Sequence, residues 1–104
     1  MSVDLQKVRR ETIRWQILLT LNNARPMGSY EEVVLSVIQA MYPDATAHEL
    51  RKELDYLADR QMLKLEREPG GRWFADLSSL GVDIAEYTAE VRPGIARPPK
   101  YWSN

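Results

Sequence analysis

Apolar positions recur at helical spacing through the first half of the chain, then switch to strict alternation. Across residues 4–23, Ile13, Ile17, Leu18, Leu21 and the adjoining Ala24 share one face, predicting a first helix that Asn22-Asn23, Pro26 and Gly28 bring to an end. Ser29 followed by Glu32 is a capping-box pattern. It predicts a second helix from near Tyr30, with Val33, Val34, Val37, Ile38 and Met41 clustered on one face and Tyr42-Pro43-Asp44 closing it. Thr46 and Glu49 repeat the cap for a third helix that buries Ala47, Leu50, Leu54, Leu57 and Ala58. Met62 to Glu68, MLKLERE, then alternates apolar and charged residues, the period of a half-buried strand. Pro69-Gly70-Gly71 is a turn and RWFADL a returning strand, completing a hairpin from Lys64 to Leu77. Trp73 and Phe74 point to opposite faces of that strand, so one belongs to the core, and the other packs under a fourth helix or meets a partner. Residues 81–91 predict that fourth helix, ended by Pro93-Gly94, and IARPPKYWSN follows as an extended, proline-rich tail.

Two amphipathic helices joined by a short break make a helix-turn-helix, and a third helix running into a hairpin makes it winged. The expected fold is therefore mainly α with a small β-hairpin: a winged helix-turn-helix with a three-helix core, a two-stranded wing and a C-terminal helix. One domain over residues 1–92 and a tail over 93–104 account for the length of 104 residues. Within the tail, Tyr101-Trp102 behind Pro98-Pro99 reads either as a loose end or as a strap on this domain or a neighbouring subunit.

The strings ILLTLNNARPMGSYEEVVLSVI and ATAHELRKELDYLADRQML, followed by a Gly-turn hairpin, resemble winged-helix proteins broadly. With the closing VRPGIARP, the chain is similar more narrowly to small, mostly uncharacterised winged-helix proteins of Mu-like phages and prophages. The resemblance spans nearly the whole chain. It implies a DNA-binding regulator of transcription acting on double-stranded DNA. The alternative it leaves open is a protein-interaction module that docks a phage or host protein on the same scaffold.

Charge complicates the DNA expectation. Formal net charge is −1, with 28% charged and 44% hydrophobic residues, so no global basic field attracts nucleic acid. The charge is polarised instead: Lys7, Arg9, Arg10, Arg14 and Arg25 outnumber Asp4 and Glu11 in residues 1–28. Residues 29–45 carry Glu31, Glu32 and Asp44 with no basic residue. In a helix-turn-helix the second helix of the motif enters the major groove. With its leucines turned inward, the third helix turns His48, Lys52, Asp55, Tyr56 and Asp59 outward, with Glu49 and Arg51 at the margins. Thr46, His48, Arg51, Lys52 and Tyr56 are the candidate DNA contacts on that helix, and Arg67 and Arg72 those on the wing. Asp55 and Asp59 would oppose a polyanion, and Glu66 and Glu68 dilute the wing. The same pattern also describes a solvated helix face and a charge-protected hairpin edge.

A second apolar seam runs along the first helix through Leu5, Val8, Thr12, Trp15 and Leu19, matched on the fourth by Leu80, Ile84, Tyr87 and Val91. The two seams cover each other within one chain or across a two-fold axis. The homodimer is the favoured expectation, because Leu5 and Val8 project past so small a core.

Other chemistry finds little footing. There is no cysteine, which excludes disulfides and thiolate metal sites and fits a reducing cytoplasm. His48 is the lone histidine, and Glu49 and Glu53 have no further ligands to complete a metal site. Gly70-Gly71 is too short to cradle a phosphate. No catalysis, metal or cofactor is expected. The polar N-terminus is no secretory signal, and no apolar run approaches the roughly 18 residues of a membrane span.

Overall fold

A computed structural model describes residues 2–100; the Tyr101-Trp102 pair lies outside the described residues. The element order is α1 (Leu5–Asn23), β1 (Ser29–Tyr30), α2 (Glu31–Met41), α3 (Ala47–Asp59), β2 (Leu63–Arg67), β3 (Trp73–Leu77) and α4 (Ser79–Ala85). This is a winged-helix topology: three helices, an antiparallel hairpin and a C-terminal helix. No helix among the described residues is long and apolar enough to cross a membrane.

α1 and α3 form where their apolar spacing and caps place them. Asp4 caps α1 by accepting from the Lys7 N–H, and Thr46 caps α3 by accepting from the Glu49 N–H. Ile13, Ile17, Leu18 and Leu21 of α1 meet Val34 and Ile38 of α2, and Leu50, Leu54 and Leu57 of α3, in one buried core. The hairpin turns at Glu68 and Arg72, where the Glu68 N–H donates to the Arg72 carbonyl (2.9 Å) and Gly71 takes φ +98°.

Four details differ from the sequence expectation. The wing is part of a three-stranded sheet, order β1-β3-β2, because Ser29 and Tyr30 pair antiparallel with Ala75 and Phe74. Ser29 is therefore strand, not cap; α2 begins after Tyr30 with no side-chain cap, and Glu32 turns to Arg72. Of the five apolar α2 positions only Val34 and Ile38 are buried; Val33, Val37 and Met41 remain exposed, since they lie round the helix from α1 and the sheet. Finally, α4 ends at Ala85 instead of continuing to residue 91, and Tyr87 takes φ +64°, which no helix accommodates.

The paired seams close within the chain. Trp15 is buried, Ile84 is fully buried, and the Trp15 and Tyr87 rings meet edge to face at 5.9 Å. Thr12 is half-buried, and Leu19, Leu80, Tyr87 and Val91 pack against the same core. Within this set Trp15 and Ile84 are covered by intrachain packing of α1 on α4. Only Leu5 and Val8 project, 72% and 47% exposed.

The proline-rich segment is no loose appendage as far as residue 98. Ile95 is buried in the core, the Ala96 N–H donates to the Glu11 carbonyl (3.2 Å), and Arg14 Nη1 donates to the Gly94 carbonyl (3.1 Å). Arg97 Nη1 donates to the carbonyls of Ile84 and Ala89, and the Tyr87 hydroxyl to that of Pro98. These bonds make a strap across α1 and α4.

Candidate functional site

The residues singled out for DNA lie on α3 and the hairpin, and each has a definite place. His48 and Lys52 are exposed on the leading turns of α3, without a polar partner among the described residues. Thr46 is exposed, its hydroxyl engaged by the Glu49 N–H at 3.2 Å. Asp59 is exposed further along, while Asp55 and Tyr56 are half-buried.

The three arginines are all engaged internally. Arg51 forks onto Glu31, with Nε to Oε1 at 2.7 Å and Nη2 to Oε2 at 2.6 Å, and also donates to the Gly71 carbonyl at the wing tip (2.6 Å). Arg67 closes on Asp55. Arg72 closes on Glu32, Nη2 to Oε1 at 2.6 Å and Nε to Oε1 at 3.0 Å. Beneath them lie aromatic rings. The Arg51 and Arg67 guanidinium carbons sit 4.6 and 4.5 Å from the Trp73 ring centre, and that of Arg72 lies 3.6 Å from the Tyr30 ring centre. Phe74, on the other side of β3, meets Tyr30 edge to face at 5.0 Å. Trp73 thus joins the wing to α3, and Phe74 packs toward β1.

Tyr56 is also committed. Its ring lies between the Arg14 and Arg60 guanidiniums, 3.4 and 3.6 Å from its centre, and its hydroxyl reaches the Pro93 carbonyl at 3.5 Å. Behind α3, Arg9 forks onto Glu49 at 2.7 and 2.8 Å and contacts Asp44. Arg51, Arg67 and Arg72 are therefore brought together where α3 meets the wing, Tyr56 packs on the α1 and strap side, and of the candidate contacts His48 and Lys52 are unengaged.

Glu31, Glu32, Asp55 and Trp73 set the character of this face, and sequence reasoning gave none of them a partner. One signal was available: the acidic residues of 29–45 have no base within that segment, so any cation they pair with comes from another part of the chain. The pairings also set the carboxylates' acidity. Hydrogen bonds from Arg51, helped by the Trp73 N–H and opposed by burial, hold Glu31 below the usual carboxylate range. Arg72 does the same for exposed Glu32, and the Glu68 carboxylate, which accepts from the Tyr30 hydroxyl at 2.8 Å, pushes that phenol up.

A depressed carboxylate stabilises the fold above its unfolded value, and that contribution is lost as pH falls through the depressed folded value. Glu31→Gln is therefore expected to flatten stability against pH across the acid limb and to leave the dependence above neutrality unchanged. Urea melts at a series of pH values check this. Parallel acid limbs for both proteins would contradict it.

Residues Trp15, Leu19, Ala85, Tyr87 and Pro98 line an open groove of about 350 Å³ between α1 and α4, apart from the α3 face. Among the described residues no group of three or more His, Asp or Glu side chains is placed to hold a metal ion. No protein-family model, no curated protein and no solved structure matches the chain.

Proposed function

We propose that this winged-helix domain is a docking module for another protein and does not read DNA. The observation that carries the reading is the closure of Arg51, Arg67 and Arg72 onto carboxylates of the same chain. Binding to a nucleic acid draws on cations that neutralise phosphates and release counterions. Here an arriving phosphate meets Glu32, Asp55, Glu66 and Glu68 together with the cations. The pairs themselves need not be strong. Half-exposed ion pairs stabilise by about 1 kcal/mol at most, but each cancels charge within a Debye length of roughly 8 Å.

Mixed charge over aromatic rings suits a protein surface. On α2, Val33, Val37 and Met41 add an exposed apolar stripe stepping by four residues. The resemblance to proteins of Mu-like phages makes a phage or host protein the partner to seek.

A DNA-binding regulator is the second reading, favoured by one observation: His48 and Lys52 stand unengaged on the leading turns of α3, where a groove-reading helix makes its base contacts. A homodimer would double that contact, and Leu5 and Val8 are the seam residues left exposed for it. Salt titration separates the two. The wild-type protein is expected to leave a short DNA duplex unshifted even at low salt. Binding that falls steeply with added salt, and that Lys52→Ala weakens while Asp55→Ala does not, would assign the face to DNA.

A further inference from the structure

We propose that Glu32 and Asp55 are the specificity residues that exclude nucleic acid from the α3–wing face, filling Arg72 and Arg67 as phosphates otherwise would. The proposal rests on the docking reading above and locates its selectivity in two side chains. An arginine fork takes a carboxylate and a phosphate in the same two-pronged geometry, so an intrachain carboxylate is a direct competitor for a phosphate. Arg72 and Glu32 are each 53% exposed at the side chain, and Arg67 and Asp55 are 55% and 45% exposed, so a partner can reach all four.

Each guanidinium also has a second support independent of its carboxylate: Arg72 lies on the Tyr30 ring and Arg67 on the Trp73 ring. Cancelling the carboxylate charge would therefore leave the cation posted on the wing. Glu31 is different in kind. It is buried and also accepts the Trp73 N–H at 2.9 Å, so it holds β3 against α2 and is not part of the exclusion. With Glu32 and Asp55 neutral, Arg67 and Arg72 would join Lys52 as a cationic band across helix and wing.

The test is the double amide variant Glu32→Gln/Asp55→Asn, titrated with a short fluorescent duplex from low to physiological salt. The wild type is expected to give no anisotropy change. The variant is expected to bind with a log–log salt slope of about −3, from Lys52, Arg67 and Arg72 meeting phosphates. Adding Arg67→Ala/Arg72→Ala should abolish the gained binding. A variant with wild-type circular dichroism and melting that still ignores the duplex overturns the proposal and leaves the docking reading standing. Duplex binding by the wild type overturns the docking reading itself. If the double variant does not fold, Glu32→Gln alone carries the same test, with an expected slope of about −2.

Discussion

Glu53→Ala is expected to destabilise the domain by about 3–5 kcal/mol, the range for removing one member of a buried ion pair. Arg14 and Glu53 are 8% and 3% exposed, joined Nε to Oε1 at 2.7 Å. Without Glu53, the guanidinium keeps only the Gly94 carbonyl and the face of Tyr56, and its charge stays buried. Against the 5–15 kcal/mol typical of a whole domain, that is a large fraction. The pair itself is not expected to be worth so much. Replacing both residues by methionine removes the desolvated charges together and should recover most of the loss. Urea melts of the wild type, Glu53→Ala and the double methionine variant decide the matter. A Glu53→Ala protein within about 1 kcal/mol of wild type would show that solvent reaches Arg14 freely.

Gly81→Ala is the second large effect, and its sign comes from two competing terms. Alanine in place of glycine favours a helix by about 1 kcal/mol. A Cβ at Gly81, however, would overlap the Met62 carbonyl oxygen and crowd Leu77. That carbonyl is backbone and already accepts the Ser78 N–H at 3.1 Å, while the Gly81 N–H is held by the Ser78 hydroxyl at 3.1 Å. Neither side can yield without moving α4 off the base of the hairpin. Overpacking of this kind costs about 1–3 kcal/mol, and more where backbone must shift, so destabilisation wins. Gly70→Ala, which meets nothing within 4 Å, is the matched control and should melt close to wild type. Equal melting temperatures for the two variants would refute the packing argument.

What the sequence made legible divides along physical lines. α1, α3 and the hairpin were readable because periodicity and turn residues are local, and Thr46 caps α3 as expected while the Glu49 carboxylate turns to Arg9. β1 was not, because two residues carry no period; Ser29-Tyr30 is a strand only by pairing with β3. The valines of α2 looked like core because hydrophobicity does not say which side of a helix its neighbours occupy. In the seams, Trp15 and Ile84 find cover within the same chain, while Leu5 and Val8 stay exposed. At the candidate site, the positions of Arg51, Arg67 and Arg72 followed from helix and hairpin geometry. Their partners Glu31, Asp55 and Glu32 did not, being 20, 12 and 40 residues away in sequence.

The strap has a consequence for how the chain is made. Arg14 is synthesised 80 residues ahead of the Gly94 carbonyl it holds. At about 5–20 residues per second, that interval is roughly 4–16 s on the ribosome. Helix α1 therefore waits through the making of α2, α3 and the wing with its Trp15 side uncovered. Closing a loop of that length is also what slows folding in small domains. The strap, not the first helix, completes the core, and a nascent chain halted before Ile95 would present its apolar groove to chaperones.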